Sequence, residues 1–310
     1  MFRLYLFKIV YLSISNFLIF IDLLFRKIFN RYVFLPAIHD YIEKKQYYPK
    51  IINNKKITFF CPSVRTLFRV ESLYSKEPET ISWMDNFQPY NSKKIVFWDI
   101  GANIGLYSVY SAVKFEDIDI ISFEPSTSNT RTLSRNISIN NLENKISIFP
   151  LALSDKENII SHFKETKFSE GGSISNFNSN IDSSGEIVRE NQIMNKYNLF
   201  GTSIDNLIVN NILKVPNYIK IDVDGIEHLI LTGAKNLLKN KNLRELSIEM
   251  NPTYIKQYEF INNVMEENNF KKIISTNFRL LGDKNYKLKP NENVNEIFKR
   301  NDWNFIKLIW

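Results

Sequence analysis

The sequence is poor in cysteine, histidine and glycine for a chain of 310 residues. Its one cysteine, Cys61, cannot form an internal disulfide, so nothing points to an oxidising compartment. The three histidines are far apart in the sequence, and with Cys61 they form no recognisable zinc-binding spacing. With 9 Gly, 10 Pro and 44% hydrophobic residues, collagenous, low-complexity and disordered chains are excluded as well.

The chain also lacks runs of basic residues interleaved with aromatic residues, which single-strand nucleic-acid binders use. Its net charge is +7, and residues 1–35 carry +4 of it, so the other 275 residues carry only +3. This surplus is too small to indicate a nucleic-acid-binding surface. We expect no nucleic-acid partner.

Residues 1–35 are predicted to form an apolar helix with basic residues at both ends. No small-x-small cleavage site follows the apolar run, and Asp22 interrupts the only window long enough to cross a bilayer. Lys8, Ser15 and Asp22 are spaced by seven, so they form one narrow polar stripe opposite a wide apolar face. This pattern favours a helix in contact with a membrane surface through residues 1–30, and the alternative is a helix packed on the catalytic domain or on a second subunit.

From residue 93 onward, short apolar runs alternate with helical patterns, which predicts an α/β fold with a doubly wound, mostly parallel sheet. Residues 36–92 precede this domain as a mixed cap segment, with short strands predicted at Ile51–Ile57 and 58–60. The domain that these elements form is predicted to span residues 93–310. Its five core strands are predicted at Ile95–Asp99, Ile118–Phe123, Ile146–Phe149, Tyr218–Ile221 and Leu246–Ile248.

Three further predictions concern the segments around these strands. A single helix is expected over Gly225–Leu238. Two segments interrupt the alternation of strands and helices: residues 157–217 are long and polar with predicted turns, and residues 281–303 are charged and contain Pro290. Asn304–Trp310 is predicted as a last strand, antiparallel to Lys271–Ser275.

Four of the five core strands end in a carboxylate, namely Asp99, Glu124, Asp222 and Glu249. Ligands of open α/β sheets bind outside the carboxyl ends of the strands. One such acid is usually a helix cap, but several acids at one edge repel each other unless a cationic or polyhydroxylated ligand, or a metal, shares them. The sequence therefore predicts a binding site at this edge.

The turn Gly101-Ala-Asn-Ile-Gly105 indicates which ligand binds there. A dinucleotide-binding turn needs a central glycine for close approach of a pyrophosphate, and Asn103 occupies that position here. Glu124, at the end of the next strand, is placed to accept hydrogen bonds from both hydroxyls of a ribose. A cationic ligand with a ribose and no phosphate fits better than NAD, and S-adenosylmethionine is such a ligand.

The successive motifs of residues 93–275 resemble those of FkbM-type methyltransferases. The matching motifs are Asp99-Ile-Gly-Ala-Asn-Ile-Gly105, Glu124-Pro125, Ala152-Leu-Ser-Asp155, Gly172-Ser-Ile-Ser175, Thr202-Ser-Ile-Asp205, Ile219-Lys-Ile-Asp-Val-Asp-Gly-Ile-Glu227, Leu231-Thr-Gly-Ala234 and Ile248-Glu249. One departure is Asp224, where the family usually has glutamate. The resemblance implies a class I, Rossmann-like fold and S-adenosylmethionine-dependent O-methyl transfer to sugars, polysaccharide precursors or polyketides.

The resemblance also implies roles for individual residues. Asp222, Asp224 and Glu227 would be catalytic, with Asp222 or Asp224 as the base and His228 and Glu249 as lesser candidates. The alternative for Glu227 and His228 is that they only occupy the first turn of a helix and take no part in catalysis. The cofactor would contact Asp99, Gly101, Asn103, Gly105, Glu124, Ser154 and Asp155, and no metal ligand is predicted.

Three hypotheses compete at this stage. The first is a cytoplasmic O-methyltransferase at the inner face of the membrane that acts on a glycan, a glycolipid precursor or another small hydroxyl-bearing acceptor. The second is a nucleotide-dependent oxidoreductase, which the missing central glycine disfavours. The third is a non-catalytic, membrane-associated adaptor, which the clustered acids disfavour.

Overall fold

The computed structural model describes residues 2–89, 94–274 and 293–301. The chain divides into two compact units, Met1–Tyr48 and Pro49–Trp310. The α-helices are α1 (Phe2–Phe29), α2 (Phe34–Lys44), α3 (Val64–Glu71), α4 (Pro78–Asp85), α5 (Leu106–Lys114), α6 (Thr127–Ser138), α7 (Ile204–Val209), α8 (Glu227–Thr232), α9 (Lys235–Lys239) and α10 (Ile255–Glu267). The strands are β1 (Tyr47–Ile52), β2 (Lys55–Phe60), β3 (Ile95–Ile100), β4 (Ile118–Phe123), β5 (Ile146–Phe149), β6 (Ala152–Leu153), β7 (Ile159–Glu165), β8 (Ser175–Phe177), β9 (Asn195–Thr202), β10 (Tyr218–Ile221), β11 (Glu245–Met250), β12 (Phe270–Ile274) and β13 (Val294–Arg300).

The first unit is a helical pair whose polar contact explains Asp22. The side chain of Asp22 accepts hydrogen bonds from the backbone N–H groups of Val33 and Phe34, each at 2.8 Å, and from that of Leu35. Asp22 is fully buried and caps the start of α2, so the acid within the apolar run fastens α2 to α1. In the part of the chain that is described, no helix combines the length and apolar character needed to cross a membrane.

The second unit is built on a seven-stranded sheet in the order β12-β13-β11-β10-β3-β4-β5. The strands β11, β10, β3, β4 and β5 are parallel, and β13 runs antiparallel between β11 and β12. Strand order reverses at β3, whose neighbours are β4 and β10, so this is the topological switch point of the sheet. The predicted doubly wound, mostly parallel α/β fold is confirmed.

Both faces of this sheet are covered, which explains the continuous apolar runs of its strands. Phe97 of β3 packs into the core on one face with Phe59, Val109 and Leu133. Its neighbour Trp98 packs on the other face, in the core that contains the side chains of α8 and α10. Side chains alternate along a strand, so β3 belongs to two cores.

The structure corrects four predictions about single elements. The predicted strand Ile51–Ile57 is split by a turn at Asn53 and Asn54, which have φ of 47° and 60° as a tight hairpin requires. Residues 157–217, for which only turns are predicted, contain β7, β8 and β9 of a second sheet with order β6-β9-β7-β8. The helix predicted over Gly225–Leu238 is two helices that break at Gly233, where a Cβ would lie 2.2 Å from the carbonyl oxygen of Ser154.

The last strand among the described residues is β13, which lies within the charged segment 281–303, where no strand is predicted. Its charged residues do not match the pattern of a buried strand. They are nevertheless accommodated, because Glu296 is buried 3.5 Å from Lys272 and the guanidinium of Arg300 donates to backbone carbonyls at the end of α9. The predicted strand Asn304–Trp310 lies outside the described residues.

Candidate functional site

A cavity of about 280 Å³ opens at the carboxyl ends of the central parallel strands. Four carboxylates line it: Glu124 after β4, Asp222 and Asp224 after β10, and Glu249 in β11. These acids are far apart in the sequence and converge because parallel strands end at one edge of the sheet. The volume is close to the lower end of the range for small-molecule sites.

The turn between β3 and α5 forms the floor of this cavity. Gly101 has φ of 82°, and a Cβ on it would lie 1.8 Å from the carbonyl oxygen of Asp222. Only glycine lets this turn lie so close to the end of β10. Asn103 also has a positive φ, 52°, and its side-chain amide donates to the carbonyl of Gly172 at 2.8 Å.

Glu124 is held from both sides by backbone amides. The N–H groups of Asn103 and Ser126 donate to its two oxygens at 2.6 and 2.9 Å. Burial raises the pKa of Glu124 to about 7, although these hydrogen bonds oppose the rise. A carboxylate has about four lone-pair positions, so Glu124 can still accept hydrogen bonds from a ligand.

Asp222 faces a buried lysine from its own strand. The Nζ of Lys220 lies 2.5 Å from Asp222 Oδ2 and 4.0 Å from Glu77 Oε2, and Lys220 is only 1% exposed. Burial acts to raise the pKa of Asp222, but the charges of Lys220 and Lys76 hold it at about 2. Asp222 is therefore ionised over the whole physiological pH range.

Asp224, two residues further, has the opposite titration behaviour. Burial and the negative charge of Asp222 raise the pKa of Asp224 to about 6. Its Oδ2 accepts the N–H groups of Ile174 and Ser175 at 2.7 and 3.3 Å, so Asp224 also fastens the loop before β8. Two acids on one short loop thus titrate about four pH units apart.

Glu249 completes the acidic lining from β11. Its Oε2 accepts a hydrogen bond from the side-chain amide of Asn293 at 2.9 Å. Burial, together with the charges of Asp222 and Glu77, raises the pKa of Glu249 well above its ordinary value. Glu249 is therefore a group that a cationic ligand would ionise.

The other predicted site residues lie outside the cavity lining. Asp99 is buried and accepts the Ser108 hydroxyl at 2.6 Å, while its Oδ1 has no hydrogen-bond partner among the described residues. Gly105 caps α5 with φ of 83°. Ser154 is buried and bonds the backbone of Lys156, and the neighbouring Asp155 is half-buried. Contact of these residues with a cofactor remains a prediction.

Glu227 also lies outside the cavity lining and closes the loop after β10. Its Oε1 accepts the N–H groups of Val223 and Gly225, each at 3.2 Å, and its Oε2 accepts the side-chain amide of Gln257 at 3.0 Å. Nε2 of Gln257 also lies 3.0 Å from His228 Nδ1. These contacts position the segment that carries Asp222 and Asp224.

Sequence reasoning missed the cations of the site. Lys220 lies within the motif Ile219–Glu227. A lysine inside the buried four-residue strand β10 is the signal that could have identified a buried cation there. Arg69 and Lys76 line the cavity, and Glu77 contacts both Lys76 and Lys220. These three residues come from the cap segment, which contains no readable motif.

The donor set of the cavity fits S-adenosylmethionine. Glu124 retains lone pairs for ribose hydroxyls, and the ionised Asp222 suits a sulfonium or ammonium group. Apolar side chains that can contact a flat base line another part of the cavity: Phe123, Leu151, Leu153, Phe163, Phe177 and Ile230.

Comparisons with known proteins give the family of this chain. A family model described as "Methyltransferase FkbM domain" matches residues 99–272. Among solved structures, the chain is similar to a methyltransferase FkbM from Methylobacillus flagellatus KT, with 17% identity and a TM-score of 0.38. That match covers 69% of this chain and 45% of the other, so this chain spans less than half of that relative.

Two further solved structures are similarly distant. One is an S-adenosylmethionine-dependent methyltransferase from Agrobacterium tumefaciens, with 7% identity, a TM-score of 0.44 and coverage of 82% and 70%. The other is M. jannaschii TYW2 in complex with AdoMet, with 12% identity, a TM-score of 0.39 and coverage of 82% and 87%. Among the curated proteins compared with it, none matches this chain.

Proposed function

The chain belongs to the FkbM methyltransferase family, and from this premise we propose that it transfers a methyl group from S-adenosylmethionine to a hydroxyl group of a glycan or glycolipid precursor. The family favours methyl transfer over the oxidoreductase hypothesis. The observation that carries the finer proposal is that Asp222 and Asp224 line one cavity in different surroundings. Lys220 Nζ lies 2.5 Å from Asp222, whereas Asp224 accepts two backbone N–H groups, and their pKa values are about 2 and about 6. Acids whose environments push their pKa values apart have different chemical roles.

Asp222 is the permanent anion of the site. S-adenosylmethionine supplies a methyl group on a positively charged sulfur, which an acceptor removes by in-line displacement. Because Asp222 stays ionised beside Lys220, it contributes fixed negative charge at the cavity wall without taking up a proton.

Asp224 is the base. A hydroxyl is a poor nucleophile, and a base helps by removing its proton as the new C–O bond forms. The pKa of about 6 leaves Asp224 ionised at neutral pH and strong enough to accept that proton. Because Oδ2 accepts two backbone N–H groups, Oδ1 is the atom that takes up the proton.

Polar groups around these acids support a polyhydroxylated acceptor. Ser173, Ser183 and Asn293 line the same cavity, and each has a side chain that can donate or accept a hydrogen bond. Several such groups would fix the orientation of a sugar ring, so that one hydroxyl reaches Asp224.

The test uses methyl-tritiated S-adenosylmethionine and methyl glycosides of hexoses, 6-deoxyhexoses and N-acetylhexosamines as acceptors. The proposal predicts label in a methyl ether, which mild alkali does not release, and little transfer by the Asp224→Asn variant. Label in alkali-labile esters or on an amine would contradict it. Saturable cofactor binding with no transfer to any of these acceptors would favour the non-catalytic adaptor.

We also propose that the Met1–Tyr48 unit binds an anionic lipid surface and holds the enzyme at the cytoplasmic face of a membrane. Large apolar side chains of α1 are exposed, with Phe17 at 61% and Ile28 at 72%. Arg26, Lys27 and Arg31 follow at the end of the helix, while the charge of Asp22 is satisfied within the unit. Apolar surface beside basic residues is typical of interfacial helices.

Vesicle co-sedimentation tests this second proposal with the full-length chain. We expect binding to vesicles of phosphatidylcholine with phosphatidylglycerol, weakened by salt, and loss of binding in Phe17→Ser/Phe20→Ser. A matched control is Phe168→Ser, because Phe168 is 73% exposed and lies in the second unit. Equal sedimentation of all three proteins would contradict the proposal.

A further inference from the structure

Arg69 and Lys76 bring positive charge to a cavity that is otherwise acidic. Arg69 belongs to α3 and Lys76 precedes α4, so both lie outside the residues 99–272 that match the family. Both line the main cavity and also a small adjoining recess, together with Gly101, Asn103 and Asp222. The recess therefore lies beside the β3–α5 turn, on the side of the cavity that the cap segment closes.

Both cations are held in place by named contacts. Nε of Arg69 donates to the carbonyl of Gly171 at 2.9 Å, and Nζ of Lys76 lies 2.5 Å from Glu77 Oε1. Glu77 in turn accepts the Tyr107 hydroxyl at 2.6 Å. The two cations are thus held by different parts of the chain, Arg69 by the loop before β8 and Lys76 by the buried carboxylate of Glu77.

Two cations, Arg69 and Lys76, and two acids, Glu77 and Asp222, line this recess. Lys76 and Arg69 act electrostatically on Asp222, which is ionised, and Lys76 is paired with Glu77. A ligand that carries an ammonium and a carboxylate on one carbon matches such an arrangement, because each of its charges finds an opposite charge. The methionine portion of S-adenosylmethionine is such a group.

We propose that Arg69 and Lys76 bind the carboxylate of the methionine portion of S-adenosylmethionine, so that the cap segment completes the cofactor site. Arg69 suits this role because a guanidinium forms directed, charge-assisted hydrogen bonds with a carboxylate, and Lys76 adds a point charge. The inference rests on the proposed function only through its cofactor, and it makes no use of the acceptor.

An anionic group on the acceptor is the other source of the same chemistry. Such an acceptor would have to enter beside Asp222 and Asp224, whose negative charges repel it. The cofactor carboxylate is favoured because the ammonium and sulfonium of the same molecule offset that repulsion.

The test is calorimetric titration, without acceptor, of the full-length protein with S-adenosylmethionine and with its decarboxylated analogue, S-adenosylmethioninamine. The variants are Lys76→Met, Arg69→Gln and the control Lys241→Met, which removes an exposed lysine from the turn before β11. We expect Lys76→Met and Arg69→Gln each to weaken binding of S-adenosylmethionine by about tenfold or more, the usual effect of losing a hydrogen bond to a charged group. Binding of the analogue should change by less than about threefold, because the analogue lacks the group that the two cations contact.

The analogue also reports whether each variant keeps a folded cavity. Equal loss of affinity for both ligands, or no loss for either, would overturn the inference. Full affinity of the variants for S-adenosylmethionine, together with a raised KM for the acceptor alone, would mean that the two cations bind the acceptor instead of the cofactor. If the wild-type protein binds S-adenosylmethionine but methylates no hydroxyl, the proposed function fails and the inference about Arg69 and Lys76 stands.

Discussion

The two walls of the cavity hold their carboxylates by different means. On the wall formed by β3 and β4, Glu124 accepts two backbone N–H groups, which fix its position. On the wall formed by β10 and β11, the side chain of Lys220 keeps Asp222 ionised, and Asp224 titrates with a pKa of about 6. Backbone amides cannot move or lose their protons, so the first wall suits recognition of a ligand. The second wall suits proton transfer, because neighbouring charges set its pKa values.

Asp224→Asn tests whether the wall formed by β10 and β11 carries out proton transfer, and it has the largest expected effect. The amide keeps an oxygen that can accept the N–H of Ile174 but cannot take up a proton, so we expect turnover to fall by about 10²- to 10⁴-fold. Affinity for S-adenosylmethionine, measured by calorimetry, should change by only a few fold. A large loss of affinity with unchanged turnover would reverse the roles of the walls.

Lys220→Met tests the charge balance of the second wall. It leaves Asp222 and Glu77 without their shared cation, and loss of one partner of a buried pair costs about 3–5 kcal/mol of unfolding free energy. Because the side chain of Asp222 is 23% exposed, we expect the lower end of that range, measured by urea denaturation. The matched control is Lys214→Met, whose exposed pair with Asp119 should contribute less than about 1 kcal/mol. Equal effects of the two substitutions would contradict the role of Lys220.

Glu124→Gln tests whether the wall formed by β3 and β4 recognises the cofactor. Loss of a charged acceptor for ligand hydroxyls should weaken S-adenosylmethionine binding by about 10- to 100-fold, with turnover at saturating cofactor nearly unchanged. Glu227→Gln is a close control, because Glu227 is equally buried, has a pKa of about 7 and accepts two backbone N–H groups, yet lies outside the cavity lining. A similar loss in both variants would mean that Glu124 acts only on the fold.

The pH dependences of cofactor affinity and of turnover distinguish the two walls, and this is the smallest of the expected effects. The raised pKa of Glu124, about 7, means that it is protonated at lower pH, so affinity for the cationic cofactor should fall as the pH drops below about 7. Turnover should fall as the pH drops below about 6, where Asp224 becomes protonated. Calorimetry between pH 5 and 8.5 measures the fall in affinity (the first limb), and initial rates over the same range measure the fall in turnover (the second limb). The first limb should vanish in Glu124→Gln and the second in Asp224→Asn, and a limb that persists in its variant would contradict the assignment.

The sequence was sufficient for the parts of the fold that depend on local patterns. Apolar runs such as Ile95–Asp99 predicted the parallel strands, because strands buried on both faces need apolar side chains throughout. The acids at the strand ends then followed from topology, and Glu124, Asp222 and Glu249 do line one cavity. Strand β13, next to the edge of the sheet, was missed because Glu296 and Arg300 are charged, and their partners come from β12 and from the end of α9.

The electrostatics of the site depend on contacts that no local pattern reveals. Asp222 and Asp224 are separated by a single residue, Val223, and the sequence pattern does not distinguish them. Their pKa values diverge because Lys220 lies beside one of them, while burial and the charge of Asp222 act on the other. Arg69 and Lys76 reach the cavity from the cap segment, which only the packing of α3 and α4 explains.

The most direct test of a single cofactor site between these walls is calorimetric titration of the full-length protein at pH 8 with S-adenosylmethionine and, in parallel, with NAD. Glu124→Gln serves as the variant, with its fold checked by thermal unfolding. Saturable binding of one S-adenosylmethionine per chain, weakened at least about tenfold in Glu124→Gln and absent for NAD, is the predicted result. No heat of binding from the folded wild-type protein, or equal binding of NAD, would contradict the account.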